Sequence, residues 1–198
     1  MKSYSISRMR KECQMIYHLL LAEAVIMLIF CAVCGALWKV LYQTETKEPL
    51  IFTGVFLFLS LFLLGAYFLF SDEKWMLKHT LYGKTLTRLG DAPTLMLEID
   101  SEAKEMDYEC ASFALMRHWL VLYQSAMPQS RKIQSRPIPI NHLVRIGWRK
   151  ETREDNAGFW VQIVTGDGQE WEVFVWENAD IEALLQWGAS QEKMYDEL

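Results

Sequence analysis

The chain of 198 residues carries 20 Lys and Arg against 25 Asp and Glu, which gives a formal net charge of −5 at pH 7. Binding to nucleic-acid phosphates requires net basic surface, so this balance argues against a general nucleic-acid-binding protein. The charge is also uneven, because residues 72–198 hold 14 basic and 21 acidic side chains and residues 1–71 hold 6 and 4. The second part, with about 125 residues, is long enough to form one domain with its own core.

Two long apolar stretches occupy the first part of the chain. Residues 50–70 form an uncharged run, LIFTGVFLFLSLFLLGAYFLF, that as a helix would span about 31 Å and match a hydrocarbon core of roughly 30 Å. A second stretch covers residues 19–41. A cleaved signal peptide is disfavoured, because this stretch exceeds a signal h-region and no A-x-A site follows. The pattern predicts a transmembrane hairpin with an N-terminal segment at 1–16, helices at 17–42 and 49–71, and a short external loop at 43–48.

The distribution of lysine and arginine predicts the orientation of this hairpin. The loop between the helices contains only Lys47, and Lys39 stands at a helix end. Four basic residues precede the first helix and four follow the second: Lys2, Arg8, Arg10, Lys11, Lys74, Lys78, Lys84 and Arg88. The positive-inside rule therefore places both termini in the cytoplasm, and the protein is predicted to be integral to the cytoplasmic (inner) membrane. Residues 72–198 would then form a cytoplasmic domain.

Small and polar residues interrupt the first apolar stretch. Cys31, Ala32, Cys34 and Gly35 have small side chains, which let helices approach closely in lipid, and are predicted to form a helix contact. A redox role for the Cys31 and Cys34 pair is the alternative, although membrane dithiols usually need a partner disulfide or a quinone. Glu23 lies about one turn inside the stretch, where its carboxylate either reaches the headgroups or contacts a partner helix. No structural disulfide is expected, because cytoplasmic thiols stay reduced.

The cytoplasmic part begins with helical patterns. Apolar spacing predicts one amphipathic helix from residue 72 to Gly90, and a second helix at 94–106. At the other end of the chain, Asn178 or Asp180 is predicted to cap a closing helix that continues to Gln191.

Between these helices the apolar period changes to two, which indicates strands. One strand is predicted at 113–124 and another at 137–151, and residues 159–176 read as a hairpin. Its turn is Thr165-Gly166-Asp167-Gly168, residues that tolerate positive φ. The predicted pairing joins Trp160, Gln162 and Val164 to Trp171, Val173 and Val175. The fold expected for this part is α+β, with an antiparallel sheet of four to five strands and a C-terminal helix.

A strand meander closed by a C-terminal helix resembles the pleckstrin-homology-like (PH-like) roll of many bacterial membrane-tethered proteins. The fragment I-P-I-x-x-L-V-R-I at 138–146 is similar to one strand of those domains. The stretches LYGKTLTRLGDAP with EID, MRHWLVLYQ, IPINHLVRIGWRK and DIEALLQWGASQE resemble a family of uncharacterised bacterial membrane proteins with two helices. The resemblance implies at least a partial PH-like roll, and it implies architecture rather than chemistry.

Motifs for catalysis or cofactor binding are not found in the sequence. It lacks a dinucleotide fingerprint, a phosphate-binding loop, a zinc-protease motif and a nucleophile elbow. The histidines have no metal-ligand spacing: His18, His79, His118 and His142. We therefore expect a non-enzymatic protein with no catalytic residue, cofactor or metal ion.

A basic segment stands out within the acidic domain. Residues 131–153 contain the single acid Glu151 and seven basic residues: Arg131, Lys132, Arg136, Arg145, Arg149, Lys150 and Arg153. In a strand, Arg145, Gly147 and Arg149 share one face, while Val144, Ile146 and Trp148 share the other. The basic face either binds anionic lipid headgroups, docks an acidic protein partner or pairs with acids of its own domain. We take Arg136, Arg145, Arg149 and Arg153 as the candidate binding residues.

Two functional hypotheses follow. The first is a membrane-anchored interaction or scaffold protein, whose PH-like domain binds a protein partner or anionic headgroups. The second is an accessory subunit of a larger membrane transport or secretion complex, in which Glu23 and the residues from Cys31 to Gly35 carry the contacts. Homo-oligomerisation is compatible with both. Tryptophans exposed beside the basic strand would favour the first hypothesis.

Overall fold

The computed structural model describes residues 3–41, 48–125, 133–153, 156–191 and 194–197. Most of the predicted loop at 43–48 lies outside the described residues, as do Arg131 and Lys132, and Arg153 is described in its backbone only. The chain divides into two compact units, one of residues 13–78 and one of residues 1–12 with 79–198.

Two long apolar helices form most of the first unit. Helix α1 spans Tyr4–Leu41 and α2 spans Glu48–Phe70, and a short helix α3 follows at Glu73–His79. The stretches Tyr4–Leu37 and Ile51–Phe70 are long and apolar enough to cross a bilayer. Only 6% of the most apolar part of each stretch is buried, so the side chains there are not packed in a protein core. Two helices with this much exposed apolar surface are compatible with a membrane protein.

Helices α1 and α2 contact each other as an antiparallel pair. The hydroxyl of Tyr17 donates a hydrogen bond to the Phe70 carbonyl at 2.8 Å. Further along the pair, the buried hydroxyl of Ser60 on α2 donates a hydrogen bond to the carbonyl of Ala24 on α1 at 3.3 Å. The Phe30 ring stacks on a ring of α2 still further along. The described residues thus contain the two predicted apolar helices, paired as a hairpin.

In the second unit, the helix predicted up to Gly90 is broken at Thr80, so the prediction of one continuous helix was wrong. Thr80 adopts an extended conformation, and its hydroxyl accepts a hydrogen bond from the Gly83 amide, which caps helix α4 (Leu81–Leu89). The end at Gly90 is confirmed. Helix α5 follows at Ala92–Glu102 and continues as a short 3₁₀ turn at Ala103–Glu105.

The remaining residues form two four-stranded sheets. The first has the antiparallel order β1-β2-β3-β4, and the second has the order β7-β6-β5-β8, in which β8 is parallel to β5. The strands are β1 Tyr108–Glu109, β2 Phe113–Leu115, β3 Trp119–Ser125, β4 Ile133–Pro139, β5 Leu143–Arg153, β6 Asn156–Thr165, β7 Glu170–Val175 and β8 Met194–Glu197, with helix α6 (Asn178–Ser190) before β8.

The prediction of four to five strands was therefore too low. Each of the two long apolar runs contains a reversal that no Gly or Asn-Gly marks. The first run turns between β2 and β3, where the Met116 amide donates to the Trp119 carbonyl at 2.9 Å. The second is interrupted by a 3₁₀ turn at Ile140–His142. Only two polar residues mark each turn, Arg117-His118 and Asn141-His142, and so short an interruption between apolar residues still reads as one strand.

The hairpin of β6 and β7 has the predicted turn but a different register. The Thr165 amide donates to the Gln169 carbonyl, and Gly168 adopts a φ of 76°, as expected for a three-residue loop. This loop places Trp160 opposite Phe174 and Gln162 opposite Glu172, so the predicted pairing was wrong by one residue. A one-residue slip exchanges the two faces of a strand.

The core lies between the two sheets and helix α6. Fifteen buried side chains form it: Phe113, Leu115, Leu120, Leu122, Ile138, Leu143, Ile146, Phe159, Val161, Ile163, Val173, Val175, Ile181, Leu184 and Trp187. Ile181, Leu184 and Trp187 of α6 belong to this core and Leu185 is partly buried against it, which confirms the apolar side that the spacing of these four residues predicts. Its capping was predicted wrongly, since Glu177 occupies the N-cap position. Asp180 is instead buried and accepts a hydrogen bond from the Tyr108 hydroxyl, and this bond raises the pKa of Tyr108 to about 12.

Candidate functional site

The structure separates the predicted binding arginines. Arg145 and Arg149 lie on β5 of the second sheet, whereas Arg136 lies on β4 of the first. Arg153 ends β5, and its side chain lies outside the described part of the structure. The candidate set therefore corresponds to two separate sites, one around β5 and one around β4.

The side chains of β5 alternate between two faces as predicted, except that of Val144. Ile146 is fully buried and Trp148 packs against the core, as predicted. A bulge between Leu143 and Arg145 turns the Val144 side chain outward, where it is 48% exposed. Arg149, on the face opposite Ile146, is exposed. The predicted grouping of Val144 with Ile146 and Trp148 was therefore wrong, because a bulge breaks the alternation of side chains.

Aromatic side chains lie on the same outer face as Arg145 and Arg149. Arg149 is in register with Trp160 of β6, and Trp160 is in register with Phe174 of β7. The Phe174 ring contacts Trp160 edge to face at 5.1 Å and Trp176 at 4.6 Å between ring centres. Trp176 is 50% exposed. We call this surface, formed by Arg145, Arg149, Trp160, Phe174 and Trp176, the basic-aromatic face.

Two acids near this face are hydrogen-bonded to side chains other than its arginines. Glu151 accepts a hydrogen bond from the Trp160 indole, and Glu170 accepts one from the Gln162 amide at 2.8 Å. Among the residues that the structure describes, no carboxylate forms an ion pair with Arg145 or Arg149. Arg149 is exposed and Arg145 is half-buried, and neither guanidinium is neutralised within the described residues.

Arg136 belongs to a pocket of about 80 Å³ between helix α4, strand β4 and the turn between β6 and β7. Its guanidinium carbon lies 3.0 Å from the centre of the Trp171 ring. We call this pocket the arginine pocket. Its lining residues are Thr85, Arg88 and Leu89 of α4, residues 136–139, His142, and Thr165, Asp167, Gln169 and Trp171.

The electrostatics of the arginine pocket are unusual. Burial, followed by the positive charge of Arg88, lowers the pKa of Arg136 to about 10, so the side chain is still protonated at neutral pH. Asp167 attracts Arg136 and opposes this effect. The Asp167 carboxylate accepts a hydrogen bond from the Thr165 hydroxyl at 2.5 Å, which holds the pKa of Asp167 below its usual value. Sequence reasoning missed Arg88, Asp167 and Trp171, because they come from elements far apart in the chain.

The first turns of helix α1 form hydrogen bonds and an ion pair with the rest of the α+β unit. The guanidinium of Arg8 lies over the ring of Tyr123 at 3.9 Å and forms an ion pair with Glu109. The Ser5 amide donates to the Asp100 carboxylate at 2.7 Å. The Glu12 carboxylate accepts hydrogen bonds from three backbone amides, those of Leu81, Tyr82 and Ser135, at 2.7, 3.2 and 2.8 Å. Residues 3–12 are thus an integral part of the α+β unit.

One group in the described residues has the spacing of metal ligands, formed by Glu98, Glu102 and His118. Its atoms are already engaged, because His118 contacts Glu102 through its ring at 2.5 Å and through its backbone amide at 2.8 Å. Glu98 accepts a hydrogen bond from the Trp119 indole. These bonds join helix α5 to the turn before β3, and we interpret the group as a structural contact.

The predicted helix contact in the first unit forms only in part. The Cys31 thiol donates to the Thr53 carbonyl of α2 at 3.6 Å, and Cys34 and Gly35 are half-buried. Ala32 and Glu23 are exposed. Within the described residues, none of the four cysteines forms a disulfide bond.

Comparison with known proteins does not identify a family for this chain. No protein-family model, curated protein or solved structure matches the chain. The fold and sites define an α+β protein with two helices long enough to cross a membrane. A function must therefore be inferred from the geometry of the sites themselves.

Proposed function

We propose that this protein is a non-enzymatic interaction or scaffold protein anchored in the cytoplasmic membrane. Its hairpin of α1 and α2 crosses the bilayer, and its α+β unit binds an acidic protein partner or anionic headgroups through the basic-aromatic face. The observation that carries the proposal is that Arg145 and Arg149 share the outer face of β5, with Arg149 in register with Trp160, and form no ion pair within the described residues. Trp176, half-exposed on the same face, adds the exposed aromatic that a binding surface favours.

The layout of the α+β unit supports a PH-like roll. Seven antiparallel strands, β1 to β7, form two sheets, and helix α6 follows them directly. Seven strands closed by a C-terminal helix are what a complete roll of this kind requires. Strand β8 is an addition, which pairs in parallel with β5 after α6.

Hydrogen bonds within the α+β unit support the proposed topology. Ser5 and Glu12, which precede the first apolar stretch, are bound to residues that follow the second. These bonds support a topology in which the N-terminal segment and the α+β unit share one side of the bilayer. Two crossings satisfy this condition, and the basic residues at both ends favour the cytoplasmic side.

The chemistry of the basic-aromatic face suits an anionic partner. Each basic residue near an anionic membrane surface contributes about 1 kcal/mol of attraction. Tryptophan side chains are favoured where one edge is apolar and the other is wet, as in protein interfaces and at the headgroup level. Anchoring raises the local concentration of the face near any membrane-bound partner.

Charge reversal at Arg145 and Arg149 is expected to abolish this interaction. The full chain carrying Arg145→Glu and Arg149→Glu, purified gently from native membranes through a C-terminal tag, should lose a protein or an anionic lipid that the unmodified chain retains. With two charges reversed, the expected loss is at least tenfold. Mass spectrometry of both proteins and lipids measures it.

The matched control is Lys84→Glu with Lys104→Glu. Both lysines are exposed and lie outside the two sheets, on α4 and in the 3₁₀ turn, so the net charge changes equally while the face is preserved. The control should retain the partner. An identical set of proteins and lipids with both double variants would contradict the proposal.

The accessory-subunit hypothesis is the second candidate, and Glu23 favours it. Its carboxylate is exposed on α1 within an apolar stretch and makes no hydrogen bond to the described residues. A carboxylate at such a position usually has a partner. In that role, α1 would pack against a helix of another membrane protein.

Ala32→Leu with Gly35→Leu tests this second candidate. Ala32 is exposed, and a Cβ atom at Gly35 would have no atom within 4 Å, so larger side chains leave the hairpin itself undisturbed. The double variant should lose a stoichiometric membrane partner while the α+β unit stays folded. Persistence of the complex would count against the accessory-subunit role.

A further inference from the structure

We propose that the arginine pocket is a binding site for a phosphate group, carried either by free inorganic phosphate or by a phosphomonoester lipid headgroup. The site is separate from the basic-aromatic face, because Arg136 and Arg88 belong to the first sheet and helix α4. The proposal therefore goes beyond the function proposed above. It assigns a ligand to two arginines that the fold brings together and that form no ion pair within the described residues.

Unsatisfied hydrogen-bond donors point to an anion. Arg88 and Arg136 line one small pocket, and within the described residues neither forms an ion pair. The Nε atom of Arg136 is buried and has no hydrogen-bond partner. A buried donor without an acceptor is costly, and two like charges in one pocket repel each other. A bound anion offsets the repulsion between the two guanidinium groups.

The pocket has room for a single small group. A volume of about 80 Å³ exceeds what one water molecule occupies, which is about 30 Å³ in the liquid. It is well below the 300 Å³ or more that encloses a drug-sized ligand. Guanidinium groups form paired hydrogen bonds with phosphate oxygens, and a tetrahedral phosphate presents oxygens to two arginines at once.

Arg136 is held in place for this role. Its guanidinium stacks on Trp171, and the planar fork loses little further freedom when it binds an anion. Arg88 is exposed and completes the site from helix α4. Asp167 lines the same pocket and would repel the ligand, so it limits the affinity.

Titration of the full chain in detergent with inorganic phosphate, followed by calorimetry at constant ionic strength, tests the proposal. The unmodified chain should bind phosphate saturably. Arg88→Gln and Arg136→Gln should each weaken binding at least tenfold, because each removes a charge-assisted hydrogen bond. Asp167→Asn should strengthen it. Arg117→Gln, an exposed arginine outside the pocket, is the control and should change nothing.

A second arm distinguishes the source of the phosphate. The same variants are placed in phosphatidylcholine nanodiscs with either phosphatidic acid or phosphatidylglycerol. Retention of phosphatidic acid alone, lost in Arg88→Gln, identifies a headgroup, whereas binding only in the titration identifies free phosphate. Absence of saturable binding in both arms, or binding that Arg88→Gln leaves unchanged, would overturn the proposal. Arg88 is exposed, so Arg88→Gln is expected to fold even if Arg136→Gln does not. The test therefore remains valid with Arg88→Gln alone.

Discussion

Replacing Glu12 with alanine is expected to lower the free energy of unfolding of the α+β unit by about 3–5 kcal/mol. The Glu12 carboxylate accepts hydrogen bonds from the backbone amides of Leu81, Tyr82 and Ser135. Two of these amides begin helix α4, where no helical carbonyl is available to accept their hydrogen bonds. Alanine leaves all three donors without their acceptor at once.

Chemical denaturation of the full chain in detergent, monitored by tryptophan fluorescence, measures this loss. Glu105→Ala is the matched control, since Glu105 is an exposed acid of the same unit and its replacement should cost less than about 0.5 kcal/mol. Equal midpoints for the two variants would show that residues 3–12 do not hold the unit together.

Replacing Trp187 with alanine is expected to cost a further, independent 3–5 kcal/mol or so, because it removes a large side chain from the core between the sheets and helix α6. Trp187 is 6% exposed, and its indole donates a hydrogen bond to the Met116 carbonyl at 2.9 Å. Alanine leaves a cavity and an unpaired carbonyl. Trp187→Phe keeps most of the volume and should lose about 1–2 kcal/mol.

Comparison of Trp176→Ala with Trp187→Ala distinguishes a residue that binds a partner from one that stabilises the fold. Trp176 is 50% exposed, so Trp176→Ala should change the denaturation midpoint little while weakening the interaction of the basic-aromatic face. A large loss of stability in Trp176→Ala, or a small one in Trp187→Ala, would contradict the assignment of these two residues.

The sequence predicts those features that depend on composition and local chemistry. An uncharged run at residues 50–70 can only be an apolar helix, and the turn at Thr165 to Gly168 contains the glycine that a positive φ requires. Gly90 ends a helix for a similarly local reason, since glycine favours helix termini.

Features that depend on contacts between distant residues are not predictable in this way. The break at Thr80 is stabilised by Glu12, which lies far away in the chain, and nothing near Thr80 marks it strongly. The bulge at Val144 reverses one side chain within an otherwise regular strand. The first turns of α1 read as a polar tail, although Arg8 is buried against Tyr123 and Glu109.

Of the two candidate sites, one is predictable from the sequence and the other is not. Arg145 and Arg149 alternate along one strand, so their common face follows from the period of a strand. The arginine pocket joins Arg136 to Arg88 and Trp171, and only the pairing of strands and the packing of α4 bring these residues together. A sequence contains no local signal for such a site.

The most direct test of the proposed function is site-specific photo-crosslinking from the basic-aromatic face. A benzophenone amino acid replaces Trp176 in the full chain in native membranes, and a second chain carries it in place of Leu97, which is 72% exposed on helix α5. The proposal predicts a defined protein or anionic lipid crosslinked from position 176, absent from position 97 and lost on Arg145→Glu with Arg149→Glu. Equal crosslinking from both positions, or a crosslink that survives charge reversal, would contradict it.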